Sequence, residues 1–288
     1  MKFQSTPRRT FFKSSVLGLI AVSAGKTNFN FNASPDIPGS VFFNTAVPER
    51  YPAVELDQVR DVVGASHSDL EKVKTLVGER PELSNSTWDW GFGDFETALG
   101  AASHMGRKDI AEYLIAQGAR PDIFSLVAIG SVDGVKGMVD SVPGIQRITG
   151  PHGITLLRHA QARMRRKEDM TPAELEAAME IESYLVSLGD ADPKKEGLSL
   201  TDEEKEGYVG AYQFGEGERD EMEVTLNMRK ILSIARKGDF GKAMVMVEKN
   251  TFILESSPSI KVSFTMKQGM ATRLTIQEPG LSFSAEKL

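Results

Sequence analysis

A multidomain protein, α-helical first and antiparallel β second, is the fold class that the 288-residue sequence predicts, and three observations carry it. Short phrases with apolar residues at helical spacing, punctuated by Gly and Pro, recur from about Val59 to Pro193. From Tyr208 to the end the pattern turns to apolar residues two apart, with turn signals roughly every ten residues. A charged stretch after Gly189 separates the two patterns, and the length suffices for about two domains that each bury a core. The expected divisions are a leader over 1–24, an extended lead-in over 25–56, helical repeats over 57–193, a linker over 194–206 and a β domain over 207–288.

The leader, PRRTFFKSSVLGLIAVSAG, has a basic start, a short apolar run and a small-residue end, the three parts of an export signal. Arg8, Arg9, Phe11 and Lys13 stand where the twin-arginine motif has its arginine pair, Phe and Lys, so the segment resembles that class, with Pro7 in place of the usual Ser or Thr. Val16 to Val22 is too short to span about 30 Å of hydrocarbon, and cleavage is expected after Ala24. The resemblance implies a soluble periplasmic protein with no membrane span in its mature chain. The lead-in, rich in Asn, Pro and Ser, shows no helical periodicity. The chain has no cysteine, which excludes disulfides, a lipoprotein anchor and thiolate metal sites. Its formal net charge is −6, and the acidic excess lies in the helical half, so no nucleic-acid partner is expected.

The best-formed helical phrase is TALGAASHMGRKDIAEYLIAQGARPD, residues 97–122. Ile110, Ala111 and Leu114 share one helical face, and Gly118 suits a left-handed C-cap. The phrase resembles an ankyrin repeat along its whole length: Thr97, Leu99 and Ala102 match the first helix, Gly106 the interhelical turn, Ile110 and Leu114 the second helix, and Gly118-Ala119 its end. Gly100 departs from the pattern, which has His there. A two-helix unit cannot bury its face alone, and related phrases occur at 68–83, 130–145, 153–160 and 182–193. About four irregular repeats are therefore expected. Ser68 to Gly106 is 38 residues and Gly106 to Gly130 only 24, against about 33 for an ankyrin repeat. The first gap has an enlarged finger, and WDWGFGDFE lies in it. The last unit carries an inserted RMRRKEDM, then Thr171 as N-cap, Pro172 at the first helical position and Glu174 at the third. Arg158, Arg163, Arg165, Arg166 and Lys167 read as a solvated face paired with acids.

Thr201 caps a short lead-in helix to Glu206, and eight strand candidates follow: 209–214, 222–226, 231–235, 243–247, 252–254, 260–266, 271–277 and 281–284. Short connections predict an antiparallel meander curling into a small barrel or half-barrel. The opening at Tyr208, Gly210 and Tyr212 and the closing phrase VSFTMKQGMATRLTI resemble the lipocalin-like domain appended to serine β-lactamase-type hydrolases. That resemblance implies a concave face for a small apolar ligand, or for docking onto the helical half; a filled core is the preferred reading.

No catalytic signature is present: there is no Gly-x-Ser-x-Gly, no His-Glu-x-x-His and no phosphate loop, and Ser284 to Lys287 matches Ser-x-x-Lys without partner motifs. No catalytic residue, cofactor or metal ligand is assigned. All four histidines fall in the repeat half, and His67 and His104 each close the tripeptide Ala-Ser-His at the end of a first helix, so they are expected side by side. Polar residues at interhelical turns are the preferred reading; the alternative is a metal site with Asp69 or Asp109. His152, in the finger turn GPHG, is expected to be exposed. Trp88, Trp90 and Phe92 alternate with Asp89, Gly91 and Gly93, which in an extended chain makes a one-sided aromatic strip. Such a strip either covers the first repeat's helices, the preferred reading, or faces a partner; Trp88, Asp89, Trp90, Phe92, Asp94, His104 and His152 form the candidate interaction surface. The function expected is an exported scaffold that binds a protein partner through the finger and helix surface, without catalysis. The alternatives are a carrier of a small apolar ligand and an enzyme built around the aromatic finger and its histidines.

Overall fold

The computed structural model describes residues 49–193, 196–227 and 229–288. The leader, with Arg8, Arg9, Phe11 and Lys13, and most of the lead-in lie outside the described residues. No helix among the described residues is long and apolar enough to cross a membrane.

Helices come first, in four successive pairs: α1 (Leu56–Ala65) with α2 (Leu70–Glu79), α3 (Ala98–His104) with α4 (Lys108–Ala116), α5 (Ile123–Ile129) with α6 (Val132–Ser141), and α7 (Leu156–Met164) with α8 (Pro172–Leu188). The first helices stack on one another, α1 on α3, α3 on α5 and α5 on α7; α2 packs on α4 and α6 on α8. Val62, Val73, Val77, Leu99, Ile110 and Leu114 close one core, and Ile123, Val127, Leu156, Ile181 and Leu185 close the next. Turn chemistry places the helices. Gly106 has φ +65, and a Cβ there would meet the Ala162 carbonyl oxygen at 2.8 Å, so both its conformation and its contact with α7 demand glycine. Thr171 and Glu174 form the reciprocal capping box at the start of α8, with Pro172 at the first position. Arg158 pairs with Asp192 and Arg166 with Asp169, but Arg163 is buried within the α7 packing, 3.9 Å from Glu174, and is not part of a solvated face.

The enlarged finger between α2 and α3 is a β-hairpin. Strand β1 (Thr87–Asp89) pairs antiparallel with β2 (Phe95–Thr97), setting Trp88 opposite Glu96. Gly91, Phe92 and Gly93 all have positive φ, so the chain reverses where an extended strip was expected. The aromatic strip therefore splits: Trp88 and Trp90 pack on the first helical core, whereas Phe92 packs on the core of the β half.

After a short helix, α9 (Asp202–Glu206) with its Thr201–Glu204 capping box, the chain forms a closed eight-stranded antiparallel barrel. Its strands are β3 (Gly210–Gln213), β4 (Glu221–Leu226), β5 (Leu232–Arg236), β6 (Lys242–Glu248), β7 (Thr251–Leu254), β8 (Lys261–Lys267), β9 (Met270–Glu278) and β10 (Leu281–Lys287), with β10 closing onto β3. Alternation sends Tyr212, Val224, Ile234, Leu254, Val262, Leu274 and Ile276 inward, where they are fully buried. Tyr208, Phe252 and Phe264 stack edge-to-face with centroids 5.1–5.5 Å apart, so aromatic side chains fill the middle of the barrel. Helical stack and barrel belong to one unit, Glu49–Leu288. Gly153 abuts Glu255, and Lys242 at the start of β6 reaches the finger.

Candidate metal centre

Where finger, stack and barrel meet, four polar side chains converge: His67, Glu96, His104 and His152 each offer one ligand atom, and these atoms lie within 4.8 Å of one another. Each arrives on a different element. His67 follows α1, and His104 ends α3. Because α1 packs on α3, the repeated Ala-Ser-His tripeptide brings their rings to 5.0 Å, centroid to centroid. The serine does the same work in both copies: Ser66 and Ser103 are buried, and each hydroxyl donates to the carbonyl four residues back, Val62 and Leu99. Glu96 enters from β2, whose alternation sends Asp94 and Glu96 inward and Phe95 outward, the reverse of a hydrophobic-in pattern. His152 sits in the turn before α7 at φ 59 and is half-buried against Asp94 and Glu96, not exposed.

The carboxylate-to-imidazole distances are close to donor separations around one ion. Glu96 Oε2 is 3.3 Å from His67 Nε2, and Glu96 Oε1 is 2.8 Å from His104 Nε2 and 3.4 Å from His152 Nε2. Donors held at 2.0–2.1 Å from one ion stand about 3.3 Å apart in a tetrahedron and about 2.9 Å apart in an octahedron. His104 Nε2 and Glu96 Oε1 are both buried, close and yet misaligned, so among the described residues neither has a hydrogen-bond partner. His67 Nδ1 faces the carbonyl oxygens of Val63 and Gly64 at 3.2 and 3.1 Å, which only accept. Its proton therefore sits on Nδ1, and in the neutral ring the Nε2 lone pair points at a carboxylate oxygen. Burial, only partly offset by Glu96, holds the His67 pKa below its usual value and keeps that ring neutral. A cation between these two atoms would use both lone pairs.

The surrounding groups orient the donors as metal ligands are oriented. Trp90 Nε1 donates to Glu96 Oε2 at 2.6 Å. Asp94 accepts from His152 Nδ1 at 2.7 Å and from its backbone N–H at 2.9 Å, which leaves Nε2 aimed into the centre. Lys242 Nζ donates to the same Asp94 and ties the centre to the barrel. Burial disfavours the charge on Glu96, but the adjoining imidazoles of His104 and His152 outweigh it and hold its pKa at about 2. Burial likewise opposes the imidazolium of His152, yet Asp94 and Glu96 push its pKa up to about 9. Behind His104 lies His159, fully buried against Phe124, whose pKa burial lowers to about 4; it donates Nδ1–H to Thr155 O and is outside the four-donor group.

Of the residues proposed as an interaction surface, Asp94 and His104 are buried, and Trp90 and His152 face the centre. Trp88 covers the first helical core, Phe92 the barrel, and Asp89 alone is exposed. His67 and His104 meet as expected, but their carboxylate is Glu96 rather than Asp69 or Asp109: Asp69 caps α2 and Asp109 pairs with Arg107. Sequence reasoning missed Glu96 and Lys242. No local pattern in the sequence names either; Glu96 is placed by the hairpin register that sets it opposite Trp88. Comparison with family models, curated proteins and solved structures finds no match to the chain.

Proposed function

We propose that this protein binds a divalent first-row transition metal through Nε2 of His67, His104 and His152 and the carboxylate of Glu96. One observation carries the reading: four donor atoms converge within 4.8 Å of one another, and the two that are buried, Glu96 Oε1 and His104 Nε2, have no hydrogen-bond partner among the described residues. Three imidazoles and a carboxylate, in a chain without cysteine, suit zinc, iron, nickel or copper(II) rather than a thiolate-held ion. Four protein donors in a five- or six-coordinate ion leave positions for outside ligands. The side chains of His67 and His152 are 26% and 16% exposed, so that open side faces outward. An ion so placed acts as a Lewis acid and lowers the pKa of a bound water.

The helix pairs fit an ankyrin-type stack and the barrel a lipocalin-like one, and export by the twin-arginine route belongs to the same reading. In it, the enlarged finger supplies Glu96 to the metal and Trp90 and Asp94 to orient Glu96 and His152, and only its outer rim, with exposed Asp89 and Phe95, is left for a protein partner. Equilibrium dialysis of the protein against zinc, followed by elemental analysis, tests the proposal. One ion per chain, lost in His104→Ala and Glu96→Ala but kept in Asp69→Ala, is expected. Uptake that is unaffected by the first two changes, or no uptake, refutes it.

A further inference from the structure

The wall of the barrel parts beside the loop that leads into β5. Strands β5 and β6 pair over two residues each, Ser233 with Ala243 and Ile234 with Lys242, whereas β4 and β5 pair over five. The linker lies along β6 at this gap: Leu198 donates its backbone N–H to Met246 O at 2.7 Å, and a Cβ on Gly197 would meet the same oxygen at 2.9 Å, so glycine lets the linker come this close. Between linker, loop and strands is a cleft of about 330 Å³, lined by Leu200 and by the core side chains Leu232, Met244, Met246 and Phe252. Aromatic rings fill the middle of the barrel, so the free room is in its wall. Lys205, Arg229 and Lys230 also line the cleft, and no Asp or Glu does. Both lysines share one partner, Asp202, and Arg229 has no acidic partner among the described residues. This excess of cations stands in a chain whose net charge is −6. The loop that carries two of them is pinned by Asn227, whose Oδ1 accepts the N–H of Arg229 at 2.9 Å and of Ile231 at 3.1 Å.

We propose that the cleft binds a small amphipathic anion, a carboxylate on a short apolar chain, with the chain against Leu232, Met244 and Met246 and the carboxylate at Arg229 and the two lysines. None of the metal donors lines the cleft, so this site stands independently of the metal reading. Size limits the ligand: about 330 Å³ is the lower end of small-molecule sites, room for one short chain and not for a two-chained lipid. The two methionines are unbranched and adapt to a chain of variable shape. Charge selects the head group. A guanidinium without an acidic partner takes a carboxylate through paired N–H donors. A neutral head leaves the cationic excess unmatched, and an ammonium head is repelled by it.

The test is titration calorimetry of the full-length protein with octanoate, hexanoate, 1-octanol and octylammonium, which vary the chain and the head group separately. Octanoate is expected to bind about tenfold more tightly than hexanoate, because two more methylenes are buried, and about tenfold or more above 1-octanol and octylammonium. Arg229→Gln, at an exposed side chain, is expected to lower octanoate affinity about tenfold with an unchanged circular dichroism spectrum. No binding of octanoate overturns the inference. Equal affinities for octanoate and hexanoate overturn it because no chain is then buried, and equal affinities for octanoate and 1-octanol because the head group is then not read. Octanoate binding that is unchanged in Arg229→Gln overturns it as well, since the anion then lies elsewhere.

Discussion

Raising the pH from 7 to 9 should strengthen metal binding about fiftyfold, and His152 is the cause. Its imidazolium faces Asp94 and Glu96, with His104 and Phe240 beside it and Lys242 on the far side of Asp94, and its pKa is about 9. A metal needs the Nε2 lone pair, so that proton must leave. At pH 7 about one metal-free molecule in a hundred has a neutral His152, and at pH 9 about half do. The ratio is a factor of about 50, or about 2.3 kcal/mol at 1.36 kcal/mol per tenfold. His67, with its pKa lowered, is already neutral over this range and adds no slope. The assay is zinc competition against a chelator whose own pH dependence is known, run at pH 7, 8 and 9. An affinity that stays flat or falls with pH would refute the assignment of His152 as a ligand.

The metal-free protein should show the opposite trend in stability. His152 is raised from 6.5 to about 9, so its contribution is complete below pH 6.5 and lost by pH 9, about 3 kcal/mol in urea unfolding. Glu96, lowered from 4.5 to about 2, contributes above pH 4.5 and loses its contribution as pH falls toward 2, so these two groups favour a window of about pH 4.5 to 6.5. Trp90→Phe removes the hydrogen bond to Glu96 but keeps the ring; zinc affinity measured by competition should fall about 10–100-fold with the circular dichroism spectrum unchanged. Lys242→Met removes one of the two cationic partners of the buried Asp94, leaving His152, and should lower unfolding stability by about 1–3 kcal/mol in chemical denaturation. Gly106→Ala, at φ +65 and against the α7 backbone, should cost more than about 1 kcal/mol and lower the melting temperature.

Local periodicity made the scaffold legible from sequence. All eight strands lie where alternation placed them, to within about three residues at their ends, because each strand's inward face is a run such as Val262 and Phe264 that the barrel must bury. The helix pairs follow from left-handed turns at Gly106, Gly118, Gly130 and Gly189, and the neighbouring of His67 and His104 from one tripeptide repeated at equivalent positions. The centre itself was not legible, because its other members arrive by long-range placement. Asp94 and Lys242 are 148 residues apart, and nothing near either names the other. Asp94-Phe95-Glu96 reads equally well with its acids turned to solvent; which face is buried is decided by the hairpin register and by the barrel packed beyond it. Trp88 and Trp90 cover the first repeat's helices as expected, and Phe92 leaves the strip for a local reason: positive φ at Gly91, Phe92 and Gly93 bends the chain there. His152 turned inward because Asp94 accepts both its backbone and its ring N–H.

The most direct test of the metal centre is a crystal soaked in zinc and measured on both sides of the zinc absorption edge. One anomalous peak is expected where finger, stack and barrel meet, at about 2.0–2.2 Å from Nε2 of His67, His104 and His152 and from a Glu96 oxygen. A map with no peak there, in which the Glu96 carboxylate instead makes linear hydrogen bonds to the three imidazoles, would contradict it.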